Sequence, residues 1–166
     1  MITPWDFLLL DGWDWKFVLK GPVTLNPGDE YRDRSLRMEG PLYPVGMGLM
    51  SYGHDDSKFT QLIVDFDGKT LMVSPFGLYA MVGTWTGWLP SYFFVSRFDA
   101  LTDTYAIGSN PMVPVPCKNY IELRVRHPTK FLTTSITGAT NVYVLLYVYR
   151  IIDEDKFIES LKKLQK

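Results

Sequence analysis

The sequence predicts an all-β protein, a two-sheet β-sandwich followed by one short C-terminal α-helix. Three observations predict it. Aromatic residues make up 15% of the chain, alongside 13 Gly and 11 Pro; aromatics suit a pleated surface, whereas Gly and Pro interrupt helices. Apolar and polar residues alternate with a period of two in several short runs, the signature of strands with one face covered. Between those runs lie turn signals such as Asn26-Pro27-Gly28-Asp29 and Asp67-Gly68.

Taken in chain order, "WDWKFVL" places Trp13, Trp15, Phe17 and Leu19 on one face and Asp14 and Lys16 on the other, which predicts a half-buried strand. The stretch "GPLYPVGMGLMSYGH" mixes Gly and Pro with an apolar run that fits another strand. "DFDGKTLMV" admits two readings, a calcium-loop opening or a hairpin. With Asp67-Gly68 as a two-residue turn, Phe66 faces Lys69, Val64 faces Leu71 and Leu62 faces Val73. Paired residues share a face, so Leu62, Val64, Phe66, Leu71 and Val73 form one apolar surface. A helix–loop–helix calcium site starting at Asp65 would need Gly at Thr70 and Glu at Phe76. The hairpin is the expectation.

"SYFFVSRF" and "TYAIG" read as strands joined by "DALTD", and the Pro-rich "MVPVPCKN" suits a sheet edge or a crossover. "YIELRVR" directs Ile121, Leu123 and Val125 inward and Glu122, Arg124 and Arg126 outward. "NVYVLLYVYRII" is apolar on both faces, so the face bearing Tyr143 and Tyr147 needs a cover, either the terminal helix or a neighbouring subunit. The tail "DEDKFIESLKKLQK" is a helix with Asp153 as its cap, acidic residues first, lysines last, and an apolar stripe of Phe157, Ile158, Leu161 and Leu164. The expected organisation is a β-sandwich over residues 1–152 and an amphipathic helix over 153–166, packed on the sandwich or on a neighbour. About eight strands make a jelly roll the expected topology; a lipocalin-like barrel fits less well, because the Pro-rich segments break its continuity.

Composition narrows the function classes. A formal net charge of −1 with no basic block gives no reason to expect a nucleic-acid partner. The apolar "FLLL" is too short to span a bilayer and lacks the flanks of a signal peptide; neither a membrane span nor a signal peptide is expected. Cys117 is the lone cysteine, so no disulfide forms within one chain.

Chemistry-bearing clusters are few. His54, Asp55 and Asp56 are consecutive, and consecutive side chains diverge, so a polar loop is expected in place of a metal or acid–base site. Cys117 with His54 or His127 as base has no supporting local signature, and a small buried hydrophobe is expected. "GMGLMSYG" resembles a phosphate loop only superficially, since no helix follows it. No catalytic residue, metal or cofactor is expected. Trp85 and Trp88 in "GTWTGWLPSYFF" have three readings. They stack on sugar rings together with Tyr92, form the centre of a subunit interface, or close one end of the core.

Residues 55–152 carry a resemblance of layout. "DDSKFTQLIVDFDGKTLMVSPFGLY", then "RFDALTDTYAIGSNPMVPVPCKNYIELRVRHPT", then "NVYVLLYVYRIID" resemble the single-jelly-roll virion proteins of prokaryotic viruses, whether capsid, decoration or spike. The resemblance implies a structural role in a virion, through self-association or contacts with other virion proteins, and no catalytic residues. The candidate interface or ligand residues are Trp85, Trp88, Tyr92, Tyr143, Tyr147, Phe157 and Leu161. The alternative is a carbohydrate-binding sandwich using an aromatic platform.

Overall fold

A computed structural model describes residues 6–77, 94–109 and 116–164. Its strands are β1 (Trp13–Leu25), β2 (Glu30–Glu39), β3 (Leu42–Tyr52), β4 (Gln61–Phe66), β5 (Lys69–Val73), β6 (Phe94–Asp99), β7 (Thr104–Ser109), β8 (Tyr120–Arg126), β9 (Lys130–Phe131), β10 (Thr134–Ser135) and β11 (Thr140–Ile151). An α-helix, α1 (Glu154–Leu164), follows them. Two sheets are packed face to face, one in the order β1-β11-β3-β7-β6 and the other in the order β2-β8-β4-β5; β9 and β10 make a separate small hairpin. The predicted sandwich with a C-terminal helix is what forms.

The core lies between the sheets. β11 supplies Val142, Val144, Leu146 and Val148, and β8 supplies Ile121, Leu123 and Val125, all without exposed surface. Leu36, Leu42, Leu49, Leu62 and Val64 from β2, β3 and β4 join the same cluster. The β4–β5 hairpin has the register expected of a two-residue turn: Phe66 pairs Lys69, Val64 pairs Leu71 and Leu62 pairs Val73. Asp67 takes a positive φ of 48° at the turn, where Asp is among the residues that tolerate it.

Two features differ from expectation. β2 is a ten-residue strand just after the turn at Asn26–Asp29, in a stretch to which the sequence assigns no strand. Its register shifts between Arg32 and Arg37, and Asp33 stabilises the irregularity by accepting from the Ser35 N–H at 2.8 Å and from its hydroxyl. Alternation is therefore out of phase on the two sides of the shift, which hides the strand. In β1 the alternation is correct but the aromatic face points outward: Trp15, Phe17 and Leu19 are 60, 54 and 55% exposed. The core side of β1 is served by Val18, Val23 and Leu25. Alternation groups residues by face without saying which face is covered.

Helix α1 begins where Asp153 accepts from the Lys156 N–H at 3.1 Å. Phe157 packs with Leu10 in a small cluster bordered by Trp13, Tyr43, Tyr149, Ile151 and Leu161. The Ser160 hydroxyl accepts from the Asp11 N–H and donates to the Phe157 carbonyl, which fixes the helix against the chain entering β1. Ile158 and Leu164, the other half of the expected stripe, stay 39 and 44% exposed. No described helix is long and apolar enough to cross a membrane.

Candidate interaction surface

The outer faces of the two sheets differ in kind. Outside the four-stranded sheet, charges are mutually paired. Arg124 donates to Asp65 at 2.5 Å and to Glu30 at 3.1 Å, Arg32 donates to Glu30 at 2.6 Å, and Arg37 reaches Glu39 and Glu122 at 3.0 and 3.3 Å. Arg124 is thus held by two carboxylates, where the sequence suggests a solvated side chain. Thr70 adds a short hydrogen bond to Asp65. A face finished in this way is stable against water as it stands.

The outer face of the five-stranded sheet is finished differently. Antiparallel pairing sets its residues in transverse rows across β1, β11 and β3: Trp15, Tyr149, Tyr43; then Phe17, Tyr147, Gly46; then Leu19, Leu145, Gly48. The next row carries Tyr143 and Met50, and Gly21 lies beside Tyr143, where a Cβ would sit 2.7 Å from the ring. None of these positions is charged. Helix α1 covers the end bearing Tyr43 and Tyr149, and the remaining rows are open.

The open part has relief. Trp15 and Phe17 each set a ring 6.1 Å from Tyr147, and Tyr147 lies 5.5 Å from Tyr149, all close to edge-on or tilted. Such contacts hold the rings as a ridge. Burial, then the neighbouring Tyr147, pushes the Tyr149 hydroxyl up to about 12, so it stays neutral. Beside the ridge, Gly46, Gly48 and Gly108 leave β3 and β7 bare, opening a trough of about 520 Å³ bordered by Leu19, Tyr143 and Leu145. Ser109 and Tyr143 are the lining residues whose side chains carry a hydroxyl.

The polar cluster around His54 is built otherwise. Asp56, 8% exposed, accepts from the backbone N–H groups of Thr137 and Gly138, both at 2.9 Å. Burial pushes its carboxyl up, but those two donors and the His54 ring hold it below the ordinary carboxylate value. His54 Nδ1 accepts from the Asp56 N–H at 3.0 Å, while Asp55 turns away to pair with Lys58. His127 is fully buried, with Nε2 2.8 Å from the Gly138 carbonyl and Nδ1 3.1 Å from the Thr60 hydroxyl. Those partners define an Nε2–H donor and an Nδ1 acceptor, and burial lowers the ring's affinity for a second proton. Through Asp56 and His127 the 3₁₀ turn at Asp55–Phe59 and the following Thr60 are joined to the loop at 136–140. Among the described residues no group of His, Cys, Asp and Glu is arranged to hold a metal ion.

The remaining acids and the cysteine are structural too. Asp67 accepts from the N–H groups of Lys118, Asn119 and Tyr120 at 2.7, 2.7 and 3.2 Å, which draws its carboxyl down to about 2. It therefore fastens the hairpin tip to the start of β8. Cys117 is 1% exposed, and burial with the adjacent Asp67 carboxylate pushes its thiol up to about 12. That is a buried thiol, unsuited to nucleophilic work at neutral pH.

Of the residues named from sequence, Trp85, Trp88 and Tyr92 lie outside the described residues. Tyr143 and Tyr147 belong to the open face. Phe157 and Leu161 pack within their own chain. Missing from the sequence-derived set are Trp15, Phe17, Leu19 and Met50, which border Tyr143 and Tyr147 across the rows. The signal was the apolar face of "WDWKFVL"; its outward direction could be deduced only from pairing with a strand apolar on both sides.

Fold and surface together define a two-sheet β-sandwich with one charge-paired outer face and one aromatic outer face. No family model and no curated protein matches the chain. Among solved structures, it is similar to "Crystal Structure of FLHE" at 11% identity and a TM-score of 0.37, covering 84% of this chain and 97% of that one. It is also similar to the VP2 subviral particle of infectious bursal disease virus, at 8% identity and a TM-score of 0.44. That match covers 92% of this chain and 35% of VP2, so this chain spans about a third of the viral protein. Likenesses this distant carry no argument about activity.

Proposed function

We propose that the protein is a structural assembly protein acting through protein–protein contacts and, more finely, a capsid, decoration or spike component of a virion. The observation that carries the reading is the open aromatic face. Trp15, Phe17, Leu19 and Met50, with the partly covered Tyr143, Leu145 and Tyr147, present on the order of 600 Å² of mostly apolar surface, at the top of the ~300–600 Å² typical of the largest patch on a monomer. The opposite sheet shows how a solvated face is finished in this chain, with carboxylates and guanidinium groups in mutual contact. The wrapping of the chain supports the jelly-roll form of the sandwich: β1 to β4 alternate between the sheets, and β1 and β11 are neighbours.

In this reading the protein is not an enzyme, and the cluster around His54 and Asp56 serves the fold. The carbohydrate alternative gains nothing from the trough, because ring stacking on sugars is paired with polar groups that fix hydroxyls, and few line it. Light scattering behind size exclusion, over a dilution series, tests the reading. A discrete oligomer or particle that resists dilution is expected. A monomer at every concentration overturns it.

A further inference from the structure

Resting on that reading, we infer that the free edge of β1 docks a second copy of this chain. The second copy adds its own β1 antiparallel to the first, about a two-fold axis normal to the sheet. An open sheet edge presents a row of N–H and C=O groups to any strand that fits, and folded chains blunt such edges by shortness, irregularity or charge. Three of the four edge strands of the described sheets are short or irregular. β5 and β6 span five and six residues, and the register of β2 breaks between Arg32 and Arg37. β1 differs: it pairs without a break from Trp13 to Lys20, and among the described residues β11 is its one strand neighbour. Its outer side chains Trp15, Phe17 and Leu19 are each more than half exposed. On its inner side Lys16 is exposed, and Asp14 and Lys20 keep 39 and 36% of their side-chain surface. β1 therefore overhangs the sheet beneath it, and its edge is accessible.

The inward charges of β1 choose the register. With Phe17 opposite Phe17, each copy's Asp14 lies opposite the other copy's Lys20, Lys16 opposite Val18, and Trp15 opposite Leu19. Asp14 already meets Arg150 of β11 at 2.7 Å. The joined sheet thus carries a row of alternating sign: Arg150, Asp14 and the other copy's Lys20. Moving the axis to Lys16 or to Val18 sets Lys16 against Lys16 or against Lys20, and like charges directly opposite destabilise a pair. An axis at Leu19 draws Pro22, which has no N–H, into the ladder opposite Lys16. An axis at Trp15 shortens the pairing to Trp13–Phe17. Every contact in the favoured register is returned in kind, as a two-fold interface requires. The large apolar side chains of the edge strand gain cross-strand neighbours on their own face. The helices stay apart: each α1 packs at the Trp13 end of its own sheet, and an axis normal to the sheet sends the two to opposite ends. The residue beside Trp13 is then the other copy's Gly21, which has no side chain to meet the helix.

The test uses the full chain in two measurements. Sedimentation over a dilution series compares wild type, Phe17→Lys and Met50→Lys. Phe17→Lys sets two ammonium groups opposite each other on the axis and is expected to weaken the dimer by roughly 100-fold. Met50→Lys lies on the same outer face but on β3, two strands in from the edge, and leaves the dimer unchanged. The second measurement is oxidative cross-linking, which the buried Cys117 does not confuse. Phe17→Cys is expected to form a disulfide with its own copy, because opposed residues in an antiparallel pair have Cα atoms about 4.5–5.5 Å apart, within disulfide reach. Trp15→Cys does not link to itself, but links to Leu19→Cys when the two variants are mixed. A wild-type monomer at all concentrations overturns both this inference and the assembly reading. An oligomer that survives Phe17→Lys, that dissociates with Met50→Lys, or that Phe17→Cys fails to join overturns the edge pairing and leaves the assembly reading standing. Self-linking of Trp15→Cys overturns the register in the same way.

Discussion

Replacing Asp56 separates a structural role from a catalytic one at the cluster where sequence placed the chain's best acid–base candidates. The Asp56 carboxylate accepts the N–H groups of Thr137 and Gly138, each at 2.9 Å, from a position 8% exposed. Asp56→Ala leaves both donors without a partner, and an unsatisfied buried donor costs about 1–3 kcal/mol. Partial access of water at the rim trims the sum to roughly 2–4 kcal/mol, a large part of the ~5–15 kcal/mol that holds a domain together. Asp56→Asn keeps an acceptor oxygen and loses only the charge assistance, so its cost is about 1 kcal/mol. Urea unfolding at neutral pH reads both, provided the m-value is unchanged. The carboxyl is held below 3.8 in the native state, so its contribution is complete above that pH and fades as pH falls through the lowered native value. Wild type should therefore lose its advantage over Asp56→Asn in that acid range. An Asp56→Ala variant within ~0.5 kcal/mol of wild type, or one no worse than Asp56→Asn, would refute the argument.

Two further outcomes follow from the same loop. His127 is held neutral, with a proton affinity lowered by burial from the ordinary 6.5; the unfolded chain takes up that proton first as pH falls, so native stability is full above 6.5 and declines below it, and the urea midpoint of a His127→Gln variant should fall less between about pH 7.5 and pH 5. Gly138 lies under the His54 ring, where a Cβ would overlap the imidazole, so Gly138→Ala should destabilise by about 1–3 kcal/mol; adding His54→Ala should recover part of the loss in a double-mutant cycle.

The parts of the fold legible in sequence are those where two local signals agree. The β4–β5 register followed from turn chemistry and apolar pairing together, and β8 from clean alternation. The helix start at Asp153 was visible because cap, charge order and periodicity coincide there. β2 was hidden because the shift between Arg32 and Arg37 puts Tyr31 on one phase and Leu36 and Met38 on the other. The candidate surface was half legible. Tyr143 and Tyr147 stood out because β11 is apolar on both sides, but Trp15 and Phe17 read as core, since exposed aromatics are what a monomer avoids. The partners of Asp56 and Asp67 are 50 residues or more away in sequence, beyond the reach of any local pattern.

The position of β11 has a consequence for how the chain is made. It is the last in chain order of the long strands described, yet it sits inside its sheet, between β1 and β3, and carries four fully buried core residues. Until residue 140 and those after it emerge from the ribosome, β1 and β3 flank a vacant slot one strand wide, with edges ready to hydrogen-bond and an apolar floor. Chain order thus postpones closure of the larger sheet until the residues from 140 onward are available. A nascent chain halted before residue 140 would offer its slot to the β11 segment of any neighbour that has not yet folded.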